Sequence, residues 1–420
     1  MTRKSLALVI LKRFLDALIV FYLALIPVIL ITGGVKVDLA DITIQATRVR
    51  TPLQYLILFG LVRLFISTEL KNALLVLGSL VFTLFTAEIA IRIWDAPIAK
   101  PRWIHLHKAS PTLGWELVPG ATGMGKLGEH YQISAFGLRD REYQLDKPPD
   151  ISRIAAIGDS FTFGMGVNLE DAYPKQLERI LRAQGMQAEV MNFGVIAHSM
   201  WQHNAMLKTR VLQYQPDLIV LGLFTGDLHA SVSPYTTSPD YRGKKPFEKE
   251  GVKGLLSRSA LRNFLKHANA LFEYKYRYRR ESYMRSIPDR KKTFIETNNM
   301  MYKIMSGSLE EEKLRQIHKA LKDFVALAKN ADAEVLIVYI PDSVQLNEPR
   351  LQMSNRFVAN ICRETGVAFV DATLALEAEG HVQDLYLFPF DAHNNPRGHE
   401  LIAQAAARRI LSVGLLAGNH

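Results

Sequence analysis

Three residues of this sequence have side chains and surroundings that suit nucleophilic catalysis. Ser160 ends a Gly-Asp-Ser tripeptide, which follows a short apolar run and precedes an amphipathic stretch. This setting predicts a tight strand-to-helix turn whose backbone N–H groups can face a developing oxyanion. A serine hydroxyl needs an adjacent base at neutral pH, and the segment Asp391-Ala-His393 supplies a histidine beside a carboxylate. We therefore expect His393 to take the Ser160 proton and Asp391 to fix the tautomer of the imidazole.

The elements that must position these residues alternate between strands and helices through the second part of the chain. Short apolar runs predict strands at 153–158, 188–192, 217–224, 334–340 and 367–370. Amphipathic stretches predict helices at 171–184, 200–214, 309–329, 351–364 and 398–413. This alternation indicates a parallel sheet that is covered by helices on both faces. Ligands of such sheets bind at the carboxyl ends of the strands, which is where Ser160 would lie.

Four sequence blocks resemble, in order and spacing, those of the SGNH (GDSL-type) hydrolases across residues 150–415. They are Gly158-Asp-Ser-Phe-Thr-Phe-Gly164, Asn192-Phe-Gly-Val-Ile-Ala197, Phe224-Thr-Gly-Asp227 and Asp391-Ala-His-Asn-Asn-Pro-Arg-Gly-His399. The segments Leu113–Gly120 and Phe136–Arg139 also resemble the lead-in of exported bacterial members. The resemblance implies a flavodoxin-like α/β/α sandwich and a Ser160, His393 and Asp391 triad. Most of the family has its carboxylate three residues before the histidine, and the shorter Asp-x-His spacing here resembles that of alginate-acetylating relatives.

The same resemblance assigns an oxyanion hole to the N–H groups of Ser160 and Ala197 and to the side chain of Asp227. The family has glycine at the position of Ala197 and asparagine at that of Asp227. An alanine N–H can serve if its backbone conformation is allowed, whereas an ionised carboxylate would repel the oxyanion. Three outcomes are open: burial keeps Asp227 protonated, Asp227 points elsewhere while a neighbour substitutes for it, or the site is crippled. The candidate neighbours are His198, Thr225 and His229.

Long apolar runs in residues 1–95 indicate a membrane region. The candidate spans are Phe14–Gly33, Leu53–Ser67 and Asn72–Ile91. About 20 apolar residues cross a hydrocarbon core, and the basic residues before Phe14 place the N-terminus in the cytoplasm by the positive-inside rule. Three spans put the rest of the chain outside the cytoplasm, in the periplasm or beyond, whereas two spans would leave it inside. A cleaved signal peptide is the competing interpretation of the first run, but no small-residue cleavage site follows it.

The remaining chain divides into a lead-in segment, a hydrolase-like domain and an insertion. Residues 96–150 predict irregular β structure, residues 151–229 and 307–420 form the hydrolase-like domain, and residues 230–306 interrupt it. The insertion is basic and rich in tyrosine, and its residues 242–292 hold sixteen Lys and Arg against five Asp and Glu. We expect a mostly helical cap that binds an anionic polymer, unless its charges only face water or lipid headgroups.

The leading functional hypothesis is a membrane-anchored serine esterase or acyltransferase, and the resemblance implies acetyl groups on a cell-surface glycan as its substrate. The alternatives are a catalytically weak relative that binds or positions a polymer in an envelope assembly, and a lipid esterase. The single cysteine, Cys362, excludes an intramolecular disulfide. The sequence has no phosphate loop, dinucleotide fingerprint or His-x-x-x-His metal pair, so we expect no cofactor and no metal. We expect no nucleic acid partner for the basic insertion, because the neighbouring segments resemble those of exported proteins.

Overall fold

The computed structural model divides by its internal contacts into two compact units, Met1–Trp94 and Asp95–His420. The described residues are 3–32, 35–39, 42–46, 50–67, 70–94, 106–125, 127–231, 259–266, 268, 292, 295–296, 298–380, 382–388 and 391–416. The predicted cap at residues 230–306 lies mostly outside these ranges, so its helical content stays a prediction.

The described residues of the first unit form three helices and a β-hairpin. Helix α1 spans Arg3–Thr32, α2 spans Arg50–Ser67 and α3 spans Leu70–Trp94. Strands β1 (Val35–Leu39) and β2 (Ile42–Ala46) form an antiparallel hairpin, which the apolar pattern did not predict. Among the described residues, one helical segment, Leu74–Trp94, is long and apolar enough to cross a membrane by length and composition. The apolar helix Thr51–Ile66 is shorter, so the prediction of three spans is not confirmed.

An ion pair joins α1 and α2. Arg63 Nε on α2 lies 2.7 Å from Asp16 Oδ1 on α1. The rings of Tyr22 and Tyr55 stack between the same two helices, with their centroids 5.7 Å apart. Ionisable side chains are costly in hydrocarbon unless they are paired, so this contact is compatible with both helices lying in a membrane.

The second unit begins with two antiparallel hairpins. Strand β3 (His107–Ser110) pairs with β4 (Gly114–Leu117), and β5 (Thr122–Met124) pairs with β6 (His130–Gln132). Trp115 of β4 and Tyr131 of β6 are buried in the same core cluster as Phe193 of the main sheet. The lead-in segment is therefore part of the hydrophobic core of this unit.

A five-stranded sheet forms the centre of the second unit. Its strands are β7 (Ser152–Gly158), β8 (Ala188–Gly194), β9 (Leu218–Phe224), β10 (Glu334–Ile340) and β11 (Ala368–Asp371). They lie in the order β11-β10-β9-β7-β8, and every neighbouring pair is parallel. Strands β7 and β8 are buried along their whole length, because helices cover both faces of the sheet. The predicted parallel α/β architecture is confirmed.

Helices form a layer on each side of this sheet. The helices of this unit for which the structure gives bounds are α4 (Ser160–Phe163), α5 (Tyr173–Ala183), α6 (Met200–Met206), α7 (Thr225–Ser231), α8 (Met300–Ser306), α9 (Glu311–Lys329), α10 (Met353–Thr365), α11 (Ala372–Glu377) and α12 (Pro396–Val413). One face of the sheet packs against α6, α9 and α10, through side chains such as Phe324 and Ile361. The other face packs against α5 and α12, through side chains such as Leu181 and Ile410.

The predicted helices of this unit differ from the observed ones in two places. The predicted helix at 200–214 is α-helical only as far as Met206, and a π-helical turn at Leu207–Val211 follows. Helix α11 was not predicted; it follows β11 without an intervening residue. The Asp371 side chain begins α11 by accepting a hydrogen bond from Thr373 N.

Candidate active site

Ser160 lies at the turn between β7 and α4. Asp159 is the N-cap of α4, and its Oδ1 accepts a hydrogen bond from Phe161 N at 2.8 Å. Helix α4 has four residues and is followed by Gly164, whose φ of 81° is left-handed. Ser160 is thus the first residue of a helix, where a backbone N–H has no intrahelical acceptor and is available to an oxyanion.

Two glycines of the neighbouring strands allow this short helix to lie directly on the sheet. A Cβ at Gly194 of β8 would lie 2.2 Å from Phe163 N, and a Cβ at Gly222 of β9 would lie 2.4 Å from Thr162 Oγ1. Both spacings are far below van der Waals contact, so only glycine permits this approach. Gly194, the glycine of the second sequence block, is therefore required for the close packing of α4 on the sheet.

The structure brings together the three residues predicted to do the chemistry. His393 Nε2 lies 2.7 Å from Ser160 Oγ, and His393 Nδ1 lies 2.5 Å from Asp391 Oδ1. Asp391 Oδ1 also accepts a hydrogen bond from His393 N at 3.2 Å, which holds the carboxylate beside the ring. With the Nδ1 proton directed at Asp391, Nε2 carries the lone pair that can accept the hydroxyl proton of Ser160.

The Phe161 ring packs beside the His393 ring, and the Phe224 ring packs against Phe161. The ring centroid of Phe161 lies 4.5 Å from that of His393 and 4.3 Å from that of Phe224. Phe161 is the residue after Ser160, so the turn that presents the nucleophile also packs against the base. The His393 side chain keeps 16% of its surface exposed and Asp391 keeps 17%, so water and small substrates can reach the pair.

Ala197, the predicted second oxyanion donor, has a φ of 62°. An L-residue in this left-handed region costs about 1 kcal/mol, and glycine would be unstrained there. Hydrogen bonds on either side hold the loop, because Trp115 Nε1 donates to Ile196 O at 3.0 Å and His198 Nε2 lies 3.0 Å from Trp115 O. Ala197 is exposed, and its N–H donates to no acceptor among the described residues.

Asp227 lies in the first turn of α7 and is only 1% exposed. Its Oδ2 accepts a hydrogen bond from Phe224 N at 3.1 Å and lies 3.3 Å from His203 Nε2. Burial raises the pKa of Asp227 well above its usual range. Burial therefore disfavours an ionised Asp227, and the choice among the three outcomes left open by the sequence stays a prediction.

The neighbours considered as substitutes for Asp227 are engaged in other contacts or lie outside the described side chains. Thr225 Oγ1 donates to Gln345 Oε1 at 2.8 Å in a buried cluster. The His198 ring nitrogen faces a backbone carbonyl, as described above. The side chain of His229 is not among those that the structure describes.

Arg139 binds the turn that follows α4, a role that sequence reasoning did not assign. Its Nη1 donates to Phe163 O and Gly164 O at 2.5 Å each, and its Nη2 donates to Val167 O at 2.7 Å. Burial lowers the pKa of Arg139 to about 10, so the guanidinium remains charged at neutral pH. The sequence signal for Arg139 was its position in Phe136–Arg139, the segment that resembles the lead-in of exported bacterial SGNH hydrolases.

Three histidines near the site are fully buried and neutral. Burial lowers the pKa of His198, His203 and His399 to about 3. His399, expected from the sequence to begin the last helix, lies in the first turn of α12 and accepts a hydrogen bond at Nδ1 from Tyr173 N at 3.3 Å. Within the described ranges, no group of three or more His, Cys, Asp or Glu side chains is placed to hold a metal ion.

A cavity of about 230 Å³ lies beside the lead-in hairpins and the end of α6. Leu113 and Phe193 are among its mostly apolar lining residues. Ser160, Asp391 and His393 do not line it, so this cavity is separate from the site that those residues define.

Several solved structures share limited similarity with this chain. TesA is 13% identical and aligns over 63% of this chain and 99% of its own, with a TM-score of 0.38. The acetylxylan esterase Axe2 from Geobacillus stearothermophilus is 15% identical and aligns over 62% and 94%, with a TM-score of 0.36. The esterase EstA from Pseudoalteromonas is 12% identical and aligns over 62% and 98%, with a TM-score of 0.36.

The decisive comparison is with protein families. No curated protein matches the chain. The model of the GDSL-like lipase/acylhydrolase family matches residues 156–401, which is more than half of the chain and includes Ser160, Asp391 and His393. This chain therefore belongs to the GDSL-like lipase/acylhydrolase family.

Proposed function

We propose that this chain is a membrane-anchored serine esterase or O-acyltransferase in which Ser160 is the nucleophile, His393 the general base and Asp391 the residue that orients the base. The observation that carries this proposal is the 2.7 Å separation of Ser160 Oγ and His393 Nε2. The contact between His393 Nδ1 and Asp391 Oδ1 at 2.5 Å supports it, because it sets the required tautomer. Membership of an acylhydrolase family supports a reaction at an ester bond.

The proposed reaction proceeds in two acyl-transfer steps. Ser160 Oγ attacks the ester carbonyl carbon while His393 Nε2 takes the hydroxyl proton, and Asp391 stabilises the imidazolium that forms. The N–H groups of Ser160 and Ala197 donate to the tetrahedral oxyanion. His393 then returns the proton to the departing alcohol oxygen, which leaves an acyl-enzyme. Water or a sugar hydroxyl attacks this intermediate with the same base, so hydrolysis and transfer differ only in the second nucleophile.

The proposed substrate is an acetyl ester on a cell-surface glycan. The short Asp391-x-His393 spacing supports this class, because it resembles that of alginate-acetylating relatives. Release of acetate from acetylated polysaccharides by the full-length protein, against a Ser160→Ala control, tests it. Incorporation of labelled acetyl groups into an unacetylated acceptor sugar would identify transfer. Acetate release that is equal in the control and the wild type would contradict the proposal.

The proposed topology has several spans and places the catalytic domain outside the cytoplasm. The ion pair of Asp16 and Arg63 supports the insertion of both α1 and α2, because pairing lowers the cost of two ionisable side chains in hydrocarbon. Alkaline phosphatase, which is active only outside the cytoplasm, can be fused after Ala46, Ser67 or Trp94. Activity after Ala46 and Trp94, and none after Ser67, is expected for three spans. An inactive fusion after Trp94 would place the domain in the cytoplasm.

The basic insertion is proposed as a surface that binds an anionic polymer. Its residues 242–292 carry sixteen Lys and Arg against five Asp and Glu, an excess that attracts polyanions. Reversing the charges of Arg277, Arg279 and Arg280 should weaken binding to an acidic polysaccharide. Loss of binding to anionic vesicles alone would indicate lipid headgroups as the partner, and unchanged binding to both would contradict the proposal.

A catalytically weak protein that binds a polymer is the second candidate, and the Asp227 side chain favours it. A carboxyl group stands where the resemblance implies an amide donor, and loss of one oxyanion donor lowers the rate by about a hundredfold or more. Labelling at Ser160 without turnover of any ester would support this alternative.

A lipid esterase is the third candidate, and the apolar helix at Leu74–Trp94 favours it. Such an enzyme would release fatty acid from phospholipid vesicles faster than acetate from glycans.

A further inference from the structure

We propose that Trp115 is a positioning residue of the active site, and that its indole N–H fixes the direction of the peptide group that presents the N–H of Ala197 to the oxyanion. This proposal deepens the proposed function and rests on it. Trp115 lies on β4 of the lead-in hairpin, before residues 156–401 that the family model matches. The lead-in segment thus supplies a part of the site from outside the matched region.

Ala197 lies in a turn that begins beside the nucleophile. Strand β8 is the parallel neighbour of β7 in the sheet. Val195 N, directly after β8, donates to Gly158 O at 3.0 Å, two residues before Ser160. His198 N donates to Val195 O at 3.1 Å and closes the turn. This turn therefore leaves the sheet next to the turn that carries Ser160.

The turn places Ala197 at a position that favours glycine. Ala197 is its third residue and has a φ of 62°, whereas Ile196 is not among the residues with a positive φ. This combination identifies a type II turn, whose third residue has a φ of about +80°. A type I turn differs mainly by a rotation of the peptide group between the second and third residues, which makes that φ negative. Because a side chain is strained at a positive φ, an alanine here favours the rotated peptide.

Trp115 holds this peptide group against the rotation. Trp115 Nε1 donates to Ile196 O at 3.0 Å in a buried contact. In a planar trans peptide the C=O and the following N–H point in opposite directions. The hydrogen bond to Ile196 O therefore aims the N–H of Ala197 away from the indole. Rotation to the type I form would break this bond, and the loss of a hydrogen bond by a buried donor is unfavourable.

A second contact of Trp115 holds the other end of the turn. His198 Nε2 lies 3.0 Å from Trp115 O, and because a carbonyl only accepts, Nε2 carries the proton. Burial lowers the pKa of His198 to about 3, so its ring is neutral at neutral pH. The two rings also pack edge to face, with their centroids 5.6 Å apart. Trp115 therefore contacts the residues on both sides of Ala197.

The start of α6 fixes the position of the hairpin relative to the turn. Gln202 Nε2 donates to Leu113 O at 2.9 Å, just before β4. Gln202 Oε1 accepts a hydrogen bond from Ser199 N at 3.1 Å in the N-terminal cap of α6. Gln202 and Trp115 are both buried, so water does not compete for these contacts. The hairpin is therefore a fixed support for the peptide that Trp115 holds.

The test is the rate of Ser160 labelling by a fluorophosphonate, measured on the full-length protein in detergent. Trp115→Phe keeps an aromatic ring but removes the N–H, so the rate at saturating probe should fall by about tenfold or more. The probe concentration that gives half of this rate should stay within about twofold, because the donor acts on the transition state. Trp201→Phe makes the same change at a side chain that packs beside Gly114 of the same hairpin, and should label at the wild-type rate.

A second substitution separates the direction of the peptide from a general loss of packing. Ala197→Gly removes the strain that drives the rotation, so adding it to Trp115→Phe should recover most of the lost rate. A wild-type rate in Trp115→Phe, or no recovery in the double variant, would overturn the proposal. If Trp115→Phe does not fold, replacing Trp115 by benzothienylalanine, which has sulfur in place of the N–H, applies the same test with the ring shape preserved.

Unfolding midpoints provide a readout that does not need activity. Ala197→Gly should raise the midpoint when Trp115 is present, because Ala197 is then held at a strained φ. The same substitution should give no rise in Trp115→Phe, where the peptide is free to rotate. An equal rise in both backgrounds would also overturn the proposal. If Ser160 is not labelled in any variant, the proposed function fails, while the midpoints still decide whether Trp115 holds the peptide.

Discussion

Ser160 Oγ and His393 Nε2 lie 2.7 Å apart although the two residues are separated by 233 positions in the chain. Ser160 follows β7, which lies between β9 and β8 in the parallel sheet, and His393 lies on the loop before α12. Helix α12 is fixed to one face of the sheet by buried side chains such as Ile402 and Ile410. The short contact therefore depends on the packing of α12 as well as on the two residues themselves.

The first prediction concerns the carboxylate that orients the base. Asp391→Asn should lower the rate of Ser160 labelling by about four orders of magnitude, because the amide favours the wrong tautomer of His393. The unfolding midpoint should change little, since the Asp391 side chain is partly exposed. His130→Ala, at an exposed histidine, is the control and should label at the wild-type rate. A variant that labels as fast as the wild type would show that Asp391 has no part in catalysis.

The second prediction concerns the buried Arg139. Arg139→Met removes the donor to Phe163 O, Gly164 O and Val167 O, and should lower the free energy of unfolding by about 3 kcal/mol. Labelling of Ser160 should fall as well, because the turn after α4 loses its support. Arg363→Met, at an exposed position, should change stability by less than about 0.5 kcal/mol. Equal stability of the two variants in urea unfolding would contradict this role for Arg139.

The third prediction concerns the backbone of Ala197. Because its φ is 62°, Ala197→Gly should relieve strain and raise the free energy of unfolding by up to about 1 kcal/mol, with labelling of Ser160 retained. Ala197→Val should lower both quantities, since a β-branched residue is strongly disfavoured at this φ. Ala331→Gly, at an exposed alanine whose φ is not positive, should be neutral or destabilising. Destabilisation by Ala197→Gly would argue against the left-handed loop.

The fourth prediction concerns stability at acid pH. His399 has a pKa of about 3 in the folded chain and a reference value of 6.5, so only the unfolded chain binds a proton there between these values. Stability should fall as the pH drops through this window, by about 1.4 kcal/mol per pH unit for each such histidine. His399→Asn keeps an acceptor for Tyr173 N and should make the pH dependence shallower by one proton. His130→Asn, at an exposed histidine, should leave it unchanged in urea unfolding from pH 7 to pH 4.5.

Much of the sheet could be predicted from the sequence, because its strands are continuous apolar runs with polar boundaries. The predicted and observed bounds of β10 coincide at Glu334–Ile340. Local composition carries that signal since both faces of the strand are buried. The distorted end of α6 could not be predicted in the same way. Thr209 Oγ1 donates to Ala205 O at 2.7 Å there, and such local competition with the helix does not show in an apolar pattern.

In the candidate site, the sequence identifies the reacting residues but not the contacts between neighbouring strands. The sequence identifies Ser160, Asp391 and His393, because a serine in a Gly-Asp-Ser turn and a histidine beside a carboxylate indicate nucleophilic catalysis. The close approach of Gly194 to Phe163 could not be predicted, because it depends on β7 and β8 being neighbours in the sheet. That adjacency is set by the topology of the whole sheet, so neither sequence block predicts it.

The most direct test of the central claim is covalent labelling of the folded, full-length protein with a fluorophosphonate, compared with Ser160→Ala. Mass spectrometry should locate a single adduct on Ser160, formed at neutral pH and absent from the variant. Matching unfolding midpoints would show that the variant is folded. An adduct of equal yield in Ser160→Ala, or none in a folded wild type, would contradict the assignment of Ser160 as the nucleophile.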